Sequence, residues 1–95
     1  MNNRQKRKRE KMKRQSIHQI LDLVLDINGL QESKKELTGD HPTAFLYFSG
    51  HVAEISVDVH ENGWEPDNGP SFSRDVYLKN NDFRKLVNEL RRIRK

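Results

Sequence analysis

Eight of the first fifteen residues are cationic: Arg4, Lys6, Arg7, Lys8, Arg9, Lys11, Lys13 and Arg14. Cations at this density, with no aromatic residue among them, suit contact with phosphate rather than the reading of base edges. Each one that neutralises a phosphate releases condensed counterions, so binding of this kind is steeply salt-dependent. A second basic cluster, Arg91, Arg92, Arg94 and Lys95, closes the chain. The plainer account of the arm is a solvated tail that aids solubility, and that of the second cluster is cations favoured by the dipole at a helix end.

The remaining reactive side chains form no constellation that does chemistry. His18, His41, His51 and His60 are spaced unlike any compact metal motif. Asp58, Glu61, Glu65, Asp67 and Asp75 surround one long polar segment, but Pro and Gly interrupt them without the spacing of a calcium loop. Ser49-Gly50-His51 reads as a turn, because a serine and a histidine this close diverge and no third residue orients the imidazole. The five glycines are dispersed and build no phosphate-binding loop. The expectation is a protein that is not an enzyme, with no catalytic residue, no metal and no cofactor. Trp64, in a Gly-Trp-Glu-Pro segment, is either an anchor folded back on the core or a contact for a partner.

These groups rest on a small frame. The chain has 95 residues, of which 33% are hydrophobic and 34% charged, so a single domain with a thin core is expected. The chain has no cysteine, which removes disulfides and thiolate chemistry and suits a cytoplasmic protein. The apolar run from Ile17 to Ile27 is broken by His18, Gln19, Asp22 and Asp26, so neither a membrane span nor a signal peptide is expected. The net charge of +4 is segregated: positions 1–15 carry +7, positions 84–95 carry +5 and positions 16–83 carry −8. Such asymmetry points to polyanion contact through the ends.

Positions 1–15 lack apolar periodicity and read as a disordered basic arm, or as a helix that extends only when anions are present. Ser16 with Gln19 makes a capping-box pattern, and Ile17, Ile20, Leu21, Val24 and Ile27 follow at helical spacing. Leu30 and Leu37 can extend that stripe through Gly29, so one helix to about Thr38 is expected, bent at Gly29 and stopped at Gly39. Thr43–Ser49 and Val52–His60 read as an antiparallel hairpin, the second strand placing Ala53, Ile55, Val57 and Val59 on its buried face. A loop over positions 61–70 leads to a third strand, about Phe72–Leu78. Asn80 or Asn81 then caps a helix whose stripe is Phe83, Leu86, Val87, Leu90 and Ile93. The expected fold is α+β: a helix, a three-stranded antiparallel meander and a helix over positions 16–95, both helices on one sheet face.

The middle of the chain resembles a group of small uncharacterised proteins encoded by phages and prophages of Gram-positive bacteria. The resemblance rests on His41-Pro42-Thr43-Ala44-Phe45, Phe48-Ser49-Gly50-His51-Val52 and Asn62-Gly63-Trp64, with the polar segment Glu32–Gly39. It implies a context, the host cytoplasm, and a style of action, the binding of a host or phage macromolecule. It carries over no functional residue. The expected function is therefore largely sequence-independent association with DNA or RNA through the basic arm, helped by Arg91, Arg92, Arg94 and Lys95. The alternative is a modulator of a host or phage protein, acting through Glu54 and Asp58 on the wet sheet face and through the Trp64 loop. The oligomeric state stays open.

Overall fold

Residues 2–80 and 82–94 are described by a computed structural model. Helix α1 spans Asn3–Asn28, a single turn α2 spans Lys35–Thr38, strands β1, β2 and β3 span Thr43–Ser49, Glu54–His60 and Phe72–Tyr77, and helix α3 spans Arg84–Ile93. The architecture is α+β, with one antiparallel sheet in the order β1-β2-β3.

The strands pair as period two requires. Ala44 and Leu46 of β1 stand opposite Val59 and Val57 of β2 on the face that the helices cover, while Phe48, opposite Ile55, is left exposed at the end of β1. Ile55, Val57 and Val59 are fully buried there. Ile20, Leu23, Val24 and Ile27 of α1 and Leu86, Val87, Leu90 and Ile93 of α3, with Phe83 just before it, complete one core. On β3, Arg74 reaches across to α3 and donates from Nε and Nη2 to Oε1 of Glu89, at 3.1 and 2.9 Å. The other face holds Phe45, Tyr47, Glu54, Ser56, Asp58, Ser73, Asp75 and Tyr77; its Thr43–His60 end is buried, with Ser33 of the α1–β1 connection bonded to Thr43, and among the described residues no helix or strand covers the acidic remainder.

The two helices lie side by side and run in the same direction. Met12 and Ser16 of α1 share a groove with Phe83 and Arg84 at the start of α3, while Arg94 at the end of α3 donates to Asp26 at 3.3 Å.

Several boundaries depart from the sequence reading. The basic arm is placed as helix, the first three turns of α1, capped by Asn2, whose side chain accepts from Gln5 N at 2.9 Å. Ser16 caps nothing; its hydroxyl bonds back to Met12 O at 3.2 Å inside the continuous helix. The helix also ends earlier than Thr38. Gly29 takes φ 72°, a conformation glycine reaches without strain, and the chain leaves the helix there. Leu30 and Leu37 consequently lie in solvent, 87% and 59% exposed, because no face remains for them to cover.

Ala53 belongs to the turn, with φ 50°, and not to the buried face of β2. Leu78 passes from strand into a 3-10 turn, Leu78–Asn80. Asn80 lies in that 3-10 turn and does not cap α3; Phe83 stands at the N-terminal boundary of α3 and contributes no capping side-chain bond. Asn81, the other cap candidate, lies outside the described residues.

Candidate nucleic-acid interface

The arm is the amino-terminal continuation of a helix whose second half is anchored in the core. From Asn3 to Arg14 it runs about 18 Å at 1.5 Å per residue. Every residue from Asn2 to Arg14 is exposed except the half-buried Lys13. This extension draws the molecule out to 52 Å in one direction, against 24 and 21 Å in the others.

Helical periodicity sorts its cations. Arg4, Arg7, Lys8, Lys11 and Arg14 recur at three- and four-residue spacing and form one outward stripe. Lys6 and Lys13 continue the line of Ile20 and Ile27, each seven residues from the next, with Arg9 beside them. The face that is apolar over the sheet therefore turns basic where the sheet ends. None of the eight cations makes an ion pair among the described residues.

This charge order opposes the helix dipole. Anions are favoured at a helix start and cations at its end, each by about 0.3–1 kcal/mol. Helix α1 has no acid in its first turn and no base in its last, with Asp22 and Asp26 toward its carboxyl end. Repulsion at four-residue spacing, as between Arg4 and Lys8, adds to the cost. A helix built against its own electrostatics is relieved by an external polyanion.

The carboxyl-terminal helpers separate on folding. Arg92 is held by Glu61 at 3.1 Å and Arg94 by Asp26 at 3.3 Å. Because the helices are parallel, this end of α3 lies beside the end of α1, about 25 Å along the helix axis from Arg9. Lys95 lies outside the described residues. Arg91 makes no ion pair among them and lines the α1–α3 groove.

That groove brings in Arg84, a residue the sequence reading did not single out. It follows the α3 boundary residue directly and faces the base of the arm. The available signal was a pair of cations, Arg84 and Lys85, opening a helix where the dipole favours acids.

The residues of the alternative interface are spread out. Glu54 and Asp58 share the open sheet face but stand about 13 Å apart along β2. Asp75, opposite Ser56, lies on the same face, and none of the three acids is ion-paired among the described residues. Trp64 is half-buried and lines a hollow of about 420 Å3 with Asn28, Ser33, Lys34, Thr43 and Phe45. Its carbonyl accepts from Lys35 N at 2.8 Å, so the loop is folded back against the α1–β1 connection.

The histidines remain dispersed. His41 Nε2 donates to Ile27 O at 2.7 Å at the end of α1, and buried His60 meets Phe45 edge-on at 5.6 Å. Among the described residues no group of three His, Asp or Glu could hold a metal ion, and no helix is long and apolar enough to cross a membrane. Glu61 and Glu65 of the long loop are engaged by Arg92 and Lys35.

No family model, curated protein or solved structure matches this chain.

Proposed function

We propose that this is a non-enzymatic, phage-type binding protein of the cytoplasm that associates with nucleic acid through the basic half of α1. The supporting observation is a projecting helix with eight cations that make no ion pair among the described residues and a charge order opposed to its dipole. A helix of this kind, about 10–12 Å across, matches the width of a duplex major groove and can also follow a phosphate backbone. The acidic sheet face points elsewhere and repels the same polyanion, so the arm supplies most of the affinity. Arg84 and Arg91 assist it in place of Arg92 and Arg94.

The test is a titration of labelled duplex and single strands, DNA and RNA, at several salt concentrations. With about five cations on phosphate, the log–log salt slope on duplex DNA is about −4 to −5. Replacing Lys6, Arg7, Lys8 and Arg9 by Gln weakens binding and flattens the slope. Failure of the full chain to bind any of these at low salt overturns the reading. A modulator that docks a basic host or phage protein on Glu54, Asp58 and Asp75 then takes its place, favoured by three acids on one sheet face that make no ion pair among the described residues.

A further inference from the structure

The groove between α1 and α3 differs in chemistry from the arm that leads into it. Its volume is about 450 Å3, within the range of small-ligand sites. Phe83 and Val87 form a mostly buried apolar floor to which exposed Met12 adds a side chain, Gln15, Gln19 and Asn88 line it with amides, and Arg84 and Arg91 bring charge. The three amide side chains make no hydrogen bond among the described residues, although Ser16 beside them is engaged with Met12 O. Along α1 the sequence Lys8, Met12, Gln15 and Gln19 follows one line of the helix at four-, three- and four-residue steps. Along α3, Arg84, Val87, Asn88 and Arg91 make a parallel line.

Apolar floor, amide walls and cations in the same groove match, in that order, the three parts of a nucleotide: a planar ring, a polar base edge and a phosphate. Asn and Gln pair with base edges through two hydrogen bonds, Arg binds phosphate or guanine, and a methionine sulfur sits well against an aromatic ring. The groove is a valley between two packed helices, which a single unpaired ring can approach from the solvent side more readily than the stacked pairs of a duplex can. We infer that this groove seats one unpaired nucleotide, so that the arm supplies phosphate affinity and the groove supplies a preference for single-stranded over duplex nucleic acid.

This inference rests on the nucleic-acid reading above, and its test separates the two. The probes are a labelled single-stranded oligonucleotide and the duplex of the same sequence, titrated with the full chain and with Gln19→Ala/Asn88→Ala. Both substituted side chains are exposed and unbonded, so the fold is retained. The expected result is a loss of about tenfold on the single strand, the scale of one base contact, with an unchanged salt slope and unchanged duplex affinity. A 4-thiouracil-substituted strand is expected to crosslink within positions 12–19 or 83–91. Equal losses on both probes, no loss on either, or crosslinks confined to the arm overturn the groove site while leaving arm binding in place. Absence of binding to both probes by the unsubstituted chain overturns both proposals.

Discussion

Asn28 pairs with Ala44 as a strand would: its Oδ1 accepts from Ala44 N at 2.7 Å and its Nδ2 donates to Ala44 O at 2.8 Å. The last residue of α1 thereby closes the first outward-facing backbone site on the edge of β1. Period two sends the backbone groups of Leu46 and Phe48 toward the same open edge. Asn28→Ala leaves a partly buried N–H and C=O unsatisfied and is expected to cost about 1–3 kcal/mol. It also lengthens the free edge of an aromatic-rich strand, which promotes edge-to-edge association. Urea unfolding and light scattering check the two effects; unchanged stability would mean that water replaces both bonds without loss.

Leu90 is fully buried between α1, α3 and the sheet. Leu90→Ala is expected to destabilise by about 2–5 kcal/mol, a large share of the stability of so small a domain. Denaturant unfolding measures it, and a change below about 0.5 kcal/mol, the scale of a surface substitution, contradicts the packing described.

The arm contributes no residue to the core. Deletion of residues 1–11 is expected to preserve cooperative unfolding at a similar midpoint. Amide exchange over residues 3–11 should be fast beside that of Ile20–Ile27, because every residue of that segment is exposed and none joins the core. Added polyphosphate should slow it by relieving the charge repulsion. Slow exchange in the anion-free protein would show that the arm is stabilised by something other than an anion.

Tyr77 stands opposite Glu54 across the β2–β3 pair. Hydrogen bonding to that carboxylate, then its negative charge, raises the phenol's pKa above its ordinary 10.0, with a smaller push from Asp75. The folded protein therefore holds this proton to higher pH than the unfolded chain does. The associated stability is complete below the unfolded pKa and is lost as pH rises through the folded one. In a Tyr47→Phe background, the phenolate absorbance of Tyr77 should rise at higher pH than that of free tyrosine, and Glu54→Gln should move it back. An identical titration with and without Glu54 would remove the carboxylate as the cause.

Arg74 is the ionic partner of the mostly buried Glu89 carboxylate, whose second oxygen, Oε2, is buried with no hydrogen-bond partner among the described residues. Arg74→Met should cost about 1–2 kcal/mol, less than a fully buried pair because the guanidinium is partly exposed. Calorimetry on the variant checks it; a rise in melting temperature would mean that desolvation of the pair outweighs its attraction.

Much of this fold is written locally. The alternation of Ile55, Val57 and Val59 and the spacing of Phe83, Leu86, Val87, Leu90 and Ile93 identify a half-buried strand and an amphipathic helix, because each pattern matches the repeat of its own backbone. The concentration of cations before Gln15 is equally plain from the residues alone. Tertiary structure decided what those patterns meet. Leu30 and Leu37 keep the spacing of the α1 stripe, yet they are exposed because Gly29 turns the chain away from the sheet. Arg92 and Arg94 adjoin Arg91 in the sequence, but packing α3 parallel to α1 gives them to Glu61 and Asp26 and brings Arg84 to the arm instead. Periodicity states which face of an element is apolar; the direction in which two elements pack, a property of their joint burial, determines which polar groups become neighbours.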